Sequence, residues 1–573
     1  MGSRTGKTIL IGLDGASLDL LLPLVEAGQL PGIARIVSGG SYGRLESVVP
    51  PITFPAWTSL CTGVGPGTHG IFSFVKVDRD HRATLLCSRD KRAPEIWDYL
   101  ADREVISAHM PLTFPPSPIN GLMVSDLRPS GDAPYAEPPT AMEEIERLFP
   151  GYEFDVDLFE YEGREPELKE KIREVLEGKT RFLDYLLGLD CDLFSFVFLD
   201  TDRAQHIFWG DEFVVEVYRT IDEKISQLVD LADSEGYNLV LVSDHGCSDW
   251  NRSIYLYDFL EGIGVLELDE TGKAPDWPRT RAFCLDIGGC IYINDDSRYS
   301  DSAVRDGEVE SLKKRIAAEL LSLRDADGSP LVQAVFDAAE VFEGSCRRSA
   351  PDLAFIPVDG CGMHLGGGAG KVTGPEDYFK GAHWANRDGI FMAYGPGIKQ
   401  AADLRLSILD VTPTLLHMMG EPVPLEMEGT IAVEILEKRV KPRFVSAREH
   451  FAIKQVVRSI SMEPDAPDSS VSDVLAALEA ELAGVREYVR TLLAHVQVLE
   501  DQISLMSAEM EQTTTYARDL ERRVYDLSEP ETGASKKASV PSDVSILEKV
   551  GFHIRTEGLP VTLKRVVRKL FRR

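Results

Sequence analysis

Residues 7–16, KTILIGLDGA, run from a short apolar stretch directly into an Asp-Gly pair, and this arrangement decides the fold. It returns at residues 193–202, LFSFVFLDTD, and at residues 238–246, NLVLVSDHG. Short apolar runs bounded by turn residues are typical of buried strands. The chain therefore repeats one local design, a buried strand that ends in an aspartate loop.

Longer amphipathic stretches separate these runs up to about Val440. This alternation predicts an α/β fold with a doubly wound, mostly parallel sheet covered by helices. Ligands of such sheets bind beyond the carboxyl ends of the strands, so we expect the aspartate loops to meet at one site. The clearest predicted strands are Thr8–Leu13, Leu193–Leu199, Asn238–Val242 and Gly389–Tyr394.

The composition is that of a protein with a large buried core, since 43% of the 573 residues are hydrophobic and 27% are charged. The 61 basic and 93 acidic side chains give a net charge of −32. With this charge we expect no nucleic acid as a general partner, because binding to a phosphate backbone depends on Lys and Arg. The chain shows no long uncharged apolar run and no secretory signal, so we expect a cytoplasmic protein.

The C-terminal part has a different organisation from the rest. From Val471 to Leu527, seventeen seam positions alternate steps of four and three residues, which predicts a coiled coil. Val and Ile at one seam position and Leu at the other favour a parallel dimer, and a lone amphipathic helix is the alternative. The predicted segments are a folded domain over 1–442, a linker over 443–470, the coiled coil over 471–528, a flexible linker over 529–544 and a basic tail over 545–573.

Residues 561–573, VTLKRVVRKLFRR, contain six basic and no acidic side chains, with apolar residues on the opposite helical face. Such a helix can lie on an anionic membrane surface, which would hold the protein peripherally at the inner face of the membrane. Pairing of the tail with the acidic body of the protein is the alternative interpretation.

Several carboxylate and imidazole groups occupy the aspartate loops. Asp202 and His206 are four residues apart, so on a helix both can grip one cation. Asp244 and His245 follow a predicted strand directly, as does Asp14. Each group alone is more often a turn or cap residue, but together they favour a metal site.

A candidate nucleophile lies in PPITFPAWTSLCTGVGPGTHGIFSF, residues 50–74. Thr53 stands between Pro51 and Pro55, which restrict its backbone and can hold its hydroxyl at a fixed angle. A bound dication can activate such a hydroxyl, whereas an ordinary turn threonine is the plain alternative.

Over residues 7–435 the chain resembles the type I phosphodiesterase and nucleotide pyrophosphatase family of the alkaline phosphatase superfamily. The resemblance rests on GLDGA, TFPAWTSLCTG with PGTHGI, DTDRAQH, SDHG, GAHWANRDGIFMAYGPGIK and ILDVTPTLLHMMGEPVP, in this order. It implies an alkaline phosphatase-like fold and two divalent metal ions, usually zinc, with manganese as the alternative. The implied ligands are Asp202, His206 and His383 for the first ion, and Asp14, Thr53, Asp244 and His245 for the second. Thr53 would attack phosphorus and form a phosphothreonine intermediate.

One position departs from the family pattern. Ala56 stands where nucleotide-cleaving relatives have an asparagine that donates to a phosphoryl oxygen. Phe54, Trp57 and His364 are the candidate substrate contacts, although Trp57 can instead pack beneath the loop; His69 is a secondary candidate. The insertion over residues 251–380 is expected to wall the pocket and set selectivity.

The function predicted from these features is cleavage of a phosphodiester or pyrophosphate bond. A membrane-associated tail suggests a nucleotide-sugar or lipid-linked substrate. A phosphomonoesterase or metal-dependent phosphomutase would need a similar metal cage, and a non-catalytic coiled-coil scaffold is the alternative from another class.

Overall fold

A computed structural model describes residues 6–451 of the chain, except 129–132, 273 and 439. These residues belong to a compact unit, Met1–Pro464, and the chain has a second unit, Asp465–Arg573. The predicted coiled coil over 471–528, the linker over 529–544 and the basic tail over 545–573 lie outside the described residues.

In chain order, the strands of the described part are β1 (Thr8–Leu13), β2 (Ser41–Glu46), β3 (Val75–Val77), β4 (Ala83–Leu85), β5 (Val105–Ala108), β6 (Gly121–Val124), β7 (Ala136–Glu137), β8 (Leu193–Phe198), β9 (Asn238–Val242), β10 (Ser248–Tyr255), β11 (Ala282–Phe283), β12 (Cys290–Ile293), β13 (Val332–Asp337), β14 (Leu353–Pro357), β15 (Gly360–His364), β16 (Thr373–Pro375), β17 (Gly381–Ala382), β18 (Asp388–Tyr394), β19 (Ala401–Ser407), β20 (Val423–Pro424) and β21 (Phe444–Val445).

The α-helices are α1 (Leu18–Glu26), α2 (Pro31–Gly39), α3 (Thr53–Thr62), α4 (Pro66–His69), α5 (Ile96–Tyr99), α6 (Thr140–Leu148), α7 (Glu165–Leu187), α8 (Asp200–Phe208), α9 (Glu212–Glu235), α10 (Leu256–Gly262), α11 (Val309–Ser322), α12 (Ala338–Val341) and α13 (Val411–Met418). No single helix among the described residues is long and apolar enough to cross a membrane. Helices α1 and α2 reach the necessary length and apolar character only when taken together, and the pair is bent by 100°.

A nine-stranded sheet forms the centre of the fold, in the order β19-β2-β18-β9-β1-β8-β5-β6-β7. Strands β9, β1, β8, β5 and β6 run parallel, whereas β18 and β7 pair antiparallel with their neighbours. The predicted mostly parallel sheet is therefore confirmed. The bounds of β1 and β9 agree with the prediction, while β8 ends one residue earlier because Leu199 caps α8.

Both faces of this sheet are covered, as a doubly wound fold requires. Side chains of β1 alternate between two core clusters: Ile9 and Ile11 belong to one, and Leu10 to the other. The first cluster includes apolar residues of α2, α7 and α9, and the second includes those of α3 and α13. Since successive strand residues point to opposite faces, the two clusters lie on opposite sides of the sheet.

The insertion over residues 251–380 forms two small sheets, β15-β10-β16 and β11-β12-β14-β13. The helix predicted near Val309–Leu323 is α11. Two contacts join the insertion to the predicted site. A Cβ on Gly288 would lie 3.0 Å from Ile52, the residue before α3, and β10 pairs with β17, which leads into His383.

The folded body continues beyond residue 442, where the sequence placed the start of a linker. Strand β21 pairs with β20, and His450 lies 2.8 Å from the carbonyl oxygen of Tyr99. The ring of Phe451 stacks on Tyr99, which explains why this short segment packs on the body.

Candidate metal and phosphate-ester site

The three aspartate loops follow neighbouring strands at the centre of the sheet. Strand β1 lies between β9 and β8, so Asp14, Asp244 and Asp202 are brought to the same carboxyl edge. Helix α8 begins at Asp200 and places Asp202 one turn before His206. The convergence expected from the sequence is therefore present in the fold.

One ligand group consists of Asp202, His206 and His383, whose candidate ligand atoms all lie within 4.8 Å of one another. Nε2 of His206 is 3.3 Å from Oδ2 of Asp202. The Nδ1 atoms of His206 and His383 lie 2.9 Å from the carbonyl oxygens of Gly381 and Pro51, respectively. An Nδ1–H that donates to a carbonyl leaves the Nε2 lone pair available to a cation.

A second group, Asp14, Asp202 and His245, meets the same 4.8 Å criterion and shares Asp202 with the first. Asp244 lies beside it, with Oδ2 3.0 Å from Nε2 of His245. Among the described residues, Asp14 Oδ1 is buried without a hydrogen-bond partner, and Asp244 Oδ2 and His245 Nε2, although close together, are not aligned for a hydrogen bond with each other or with any other group. Buried polar atoms are rarely left unsatisfied, so this arrangement fits a divalent cation held by oxygen and nitrogen.

The electrostatics of the site also favour a cation. Burial raises the pKa of Asp14 well above its usual range, and the nearby carboxylates of Asp244 and Asp202 raise it further. Burial lowers the pKa of His245, but Asp244 and Asp14 outweigh burial and raise it to about 9. Buried carboxylates of like charge destabilise one another unless positive charge compensates them.

Two glycines permit the close approach of these groups. Gly15 has a φ of +71°, and its N–H donates to Oδ1 of Asp244 at 3.2 Å. A Cβ on Gly12 would lie 2.4 Å from the ring of Trp57, which packs over β1. From this position the indole N–H of Trp57 donates to Oδ2 of Asp14 at 3.0 Å.

Thr53 is the first residue of α3, and Trp57 lies one turn later on the same helix. Residues four apart share a helical face, so Thr53 belongs to the face of α3 that meets Asp14 through Trp57. The carbonyl of Pro51 in turn binds His383. The segment around Thr53 therefore contacts both ligand groups, through Trp57 and through Pro51.

Comparison with known proteins agrees with this geometry. The sequence model of the family described as type I phosphodiesterase / nucleotide pyrophosphatase matches residues 8–367, more than half of the chain. The chain belongs to this family. The family lies in the alkaline phosphatase superfamily, as the motifs indicated.

A human family member, ectonucleotide pyrophosphatase/phosphodiesterase family member 1, is 27% identical over 270 residues, which are 45% of this chain and 25% of that protein. The chain thus spans about a quarter of the length of this curated relative. Phosphonoacetate hydrolase from Sinorhizobium meliloti 1021, solved with phosphonoacetate, has a TM-score of 0.51 at 18% identity, covering 73% of this chain and 95% of that one. It shares the fold. Murine ectonucleotide pyrophosphatase / phosphodiesterase 5 has a TM-score of 0.48 at 16% identity, covering 75% of this chain and all of that one.

Two residues of the present chain that were not predicted from its sequence lie behind Asp202. Arg203 donates to Oδ2 of Asp202 at 2.9 Å, and Asp155 accepts from Arg203 at 2.8–3.2 Å. Together with His206, Arg203 lowers the pKa of Asp202 against the effect of burial. Arg203 stands in the DTDRAQH motif and could have been noticed there, whereas Asp155 lies in a stretch without any motif.

The candidate substrate contacts occupy different places. Trp57 is fully buried beneath the site, where it holds Asp14, so its place corrects the expectation of a substrate contact. Phe54 is partly buried, with its ring 4.8 Å from that of Phe74. His364 lies 2.6 Å from Glu376 and is separated from His206 by the ring of Phe379.

His69 does not belong to the site. Its side chain is fully buried, accepts from the N–H of Ile71 at Nδ1 and lies 2.9 Å from the hydroxyl of Ser59 at Nε2. It therefore fastens α4 to α3 as a neutral core histidine.

Proposed function

We propose that this protein hydrolyses a phosphodiester or pyrophosphate bond with two divalent cations, zinc by preference, and with Thr53 as nucleophile. The observation that carries the proposal is the pair of adjoining ligand groups that share Asp202 and contact the start of α3 through Pro51 and Trp57. The family to which the chain belongs supports the same reaction class.

Asp202, His206 and His383 would hold one ion, and Asp14, Asp244, His245 and Thr53 the other. When bound, the two ions would favour the deprotonated hydroxyl and stabilise the charge that develops on the phosphoryl oxygens. Oxygen and imidazole ligands at these positions suit zinc, and manganese is the alternative.

The chain's own groups then define two steps. In the first, Oγ of Thr53 loses its proton and forms a bond to phosphorus, while the bond to the leaving oxygen breaks and that oxygen takes up a proton. In the second, a water molecule attacks the phosphothreonine, the Thr53 ester bond breaks, and the hydroxyl regains a proton. Both steps place the reacting phosphorus at the N-terminus of α3.

The same helix end offers a replacement for the asparagine that is missing at Ala56. The first N–H groups of a helix have no acceptor within it, so those of Thr53 and Phe54 are available, and the helix dipole favours an anion there. Ala56 cannot assist through its own N–H, because that group donates to the carbonyl of Ile52 at 3.1 Å. Loss of one oxyanion donor costs about 10²–10³ in rate, and the two backbone groups would offset part of it.

The test uses the full chain loaded with zinc, bis(4-nitrophenyl) phosphate as diester and 4-nitrophenyl phosphate as monoester. Wild type should cleave the diester faster than the monoester. Thr53→Ala should lose turnover by at least about 10³ while it retains its zinc content, and Thr53→Ser should keep partial activity. Equal rates of wild type and Thr53→Ala would refute the nucleophile, and a preference for the monoester would favour the phosphatase or phosphomutase alternative.

Two further proposals rest on the sequence alone. Residues 471–528 would form a parallel coiled-coil dimer, and residues 561–573 would bind an anionic membrane surface at the cytoplasmic face. Sedimentation of the full chain would give a dimer mass if the first is right and a monomer mass if it is wrong. Salt-sensitive flotation with anionic vesicles, lost in a 1–544 truncation, would support the second, and no flotation of the full chain would refute it.

A further inference from the structure

A cavity of about 330 Å³ lies between the β3–β4 hairpin and the insertion. Its lining carries a marked positive charge in a chain with a net charge of −32. The charged residues of the lining are Lys76, Arg79, Arg92, Arg298 and Arg348, against Asp78 and Asp90. Five cationic groups therefore face two anionic ones.

Three of these cations have no carboxylate partner in the described part of the chain. Lys76 pairs with Asp90, and Arg298 pairs with Asp295 and Asp352. We call Arg79, Arg92 and Arg348 the arginine triad. Within the described ranges, their guanidinium groups make no ion pair or hydrogen bond to the protein, and all three residues are exposed. Three unpaired guanidinium groups around one cavity repel one another and match the fork geometry of a phosphate, sulfate or carboxylate.

Phe54, the residue after the candidate nucleophile, packs against residues of the cavity wall. Leu86 lines the cavity and also belongs to the small cluster against which Phe54 packs. The ring of Phe54 contacts Phe74, and the next residue, Val75, lines the cavity as well. Phe54 thus packs against residues that wall the cavity, so a substrate arm that leaves Thr53 past Phe54 would approach the arginine triad.

The walls of the cavity are held in place before any ligand binds. At the turn of the hairpin, His81 is stacked between Trp277, with centroids 4.0 Å apart, and Tyr299, at 4.9 Å. The carbonyl of Arg79, two residues earlier, accepts from the N–H of Ser300 at 2.9 Å. On the opposite wall, the N–H of Cys346 donates to the carbonyl of Gly67 at 2.8 Å, two residues before Arg348. Walls fixed in this way lose less freedom on binding.

We propose that the arginine triad binds a second anionic group on the substrate, remote from the phosphorus that reacts at Thr53. The substrate class is then a phosphodiester or pyrophosphate that carries a further phosphate, sulfate or carboxylate on the arm lying past Phe54. This inference rests on the proposed function and specifies in addition that the substrate carries a second anionic group.

The experiment uses matched pairs of alkyl 4-nitrophenyl phosphates, with arms of two to six methylenes that end either in a carboxylate or in its neutral methyl ester. Release of 4-nitrophenol by the zinc-loaded full chain gives kcat/KM for each compound. The variants are Arg79→Gln, Arg92→Gln and Arg348→Gln. The matched control is Arg82→Gln, which removes an exposed arginine of the same hairpin that does not line the cavity.

At one or more arm lengths, wild type should prefer the carboxylate about tenfold or more in kcat/KM. Each triad variant should reduce that preference about three- to tenfold, mainly through KM, while turnover of the methyl ester stays unchanged. Arg82→Gln should keep the wild-type preference. Added sodium sulfate should inhibit cleavage of the carboxylate compound more strongly than cleavage of the ester.

The proposal is overturned if wild type shows no preference at any arm length, or if the preference survives in all three variants. Turnover of the neutral ester in the same samples shows that each variant is folded and separates the two hypotheses. If wild type and Thr53→Ala cleave the neutral ester equally, the proposed function fails. If only the anion preference is missing, the proposed function stands and the arginine triad alone is refuted.

Discussion

The hydrogen bond from Trp57 to Asp14 offers a sharp test of how the site is built, because it can be removed without touching any predicted ligand. Trp57→Phe keeps an aromatic ring over Gly12 but deletes the indole N–H that donates to Oδ2 of Asp14 at 3.0 Å. The acceptor is a fully buried carboxylate whose pKa this hydrogen bond lowers. The substitution should therefore weaken the cation-binding form of Asp14.

The magnitude follows from the burial of both partners. A hydrogen bond to a charged group contributes about 1.5–3 kcal/mol, which corresponds to about 10- to 100-fold in an equilibrium constant. Substitution of a residue that orients a metal ligand typically lowers the affinity for the metal by about the same factor. We expect the free zinc concentration for half-maximal activity to rise by about 10- to 100-fold.

The assay is diester hydrolysis in zinc buffers of defined free concentration, for wild type, Trp57→Phe and Trp97→Phe. Trp97 is buried in the same core cluster, so its substitution controls for the loss of ring volume. The control should shift the zinc requirement by less than about threefold, and Trp57→Phe should recover most of its kcat at saturating zinc. An unchanged zinc requirement in Trp57→Phe would refute the assigned role of the indole.

Three further outcomes are expected. Removal of divalent ions by dipicolinate should lower the melting temperature by about 5 °C or more, because the buried carboxylates lose their compensating charge, and added zinc should restore it; an unchanged melting temperature would count against a metal site. Burial lowers the pKa of His69 from 6.5 to about 3, so the folded state stays unprotonated where the unfolded state binds a proton, and about 1.4 kcal/mol of stability is lost per pH unit as the pH falls from 6.5 towards 3. Urea unfolding at pH 7 and pH 5 should show that His69→Gln loses about 2 kcal/mol less than wild type over this interval, and equal losses would contradict the assignment. Asp155→Asn should reduce kcat/KM about tenfold or more, since Arg203 is no longer held against Asp202, and an unchanged kcat/KM would exclude a positioning role for Asp155.

The sequence predicted the parts of the fold in which local pattern and topology agree. Strands β1, β8 and β9 are mostly apolar and buried throughout because both faces of the sheet are covered, and each is followed by an aspartate loop where parallel strands end. That regularity is sufficient to bring Asp14, Asp202 and Asp244 together, and the resemblance to a family added His383 and Thr53.

The features that escaped prediction depend on contacts between distant segments. Asp155 reaches Arg203 across 48 residues, and no local pattern marks either one as a partner of the other. The direction of the Trp57 side chain depends on the space above Gly12, which only the packed sheet defines. The arginine triad likewise arises from two walls that are far apart in the chain.

The central claim is that the shared Asp202 joins two cation sites beneath Thr53. The most direct test is a crystal of the zinc-loaded full chain, measured on both sides of the zinc absorption edge. We predict two anomalous peaks per chain, one bounded by Asp202, His206 and His383, and the other by Asp14, Asp244 and His245. An absence of peaks among these side chains in zinc-loaded crystals, or peaks only elsewhere, would contradict the account.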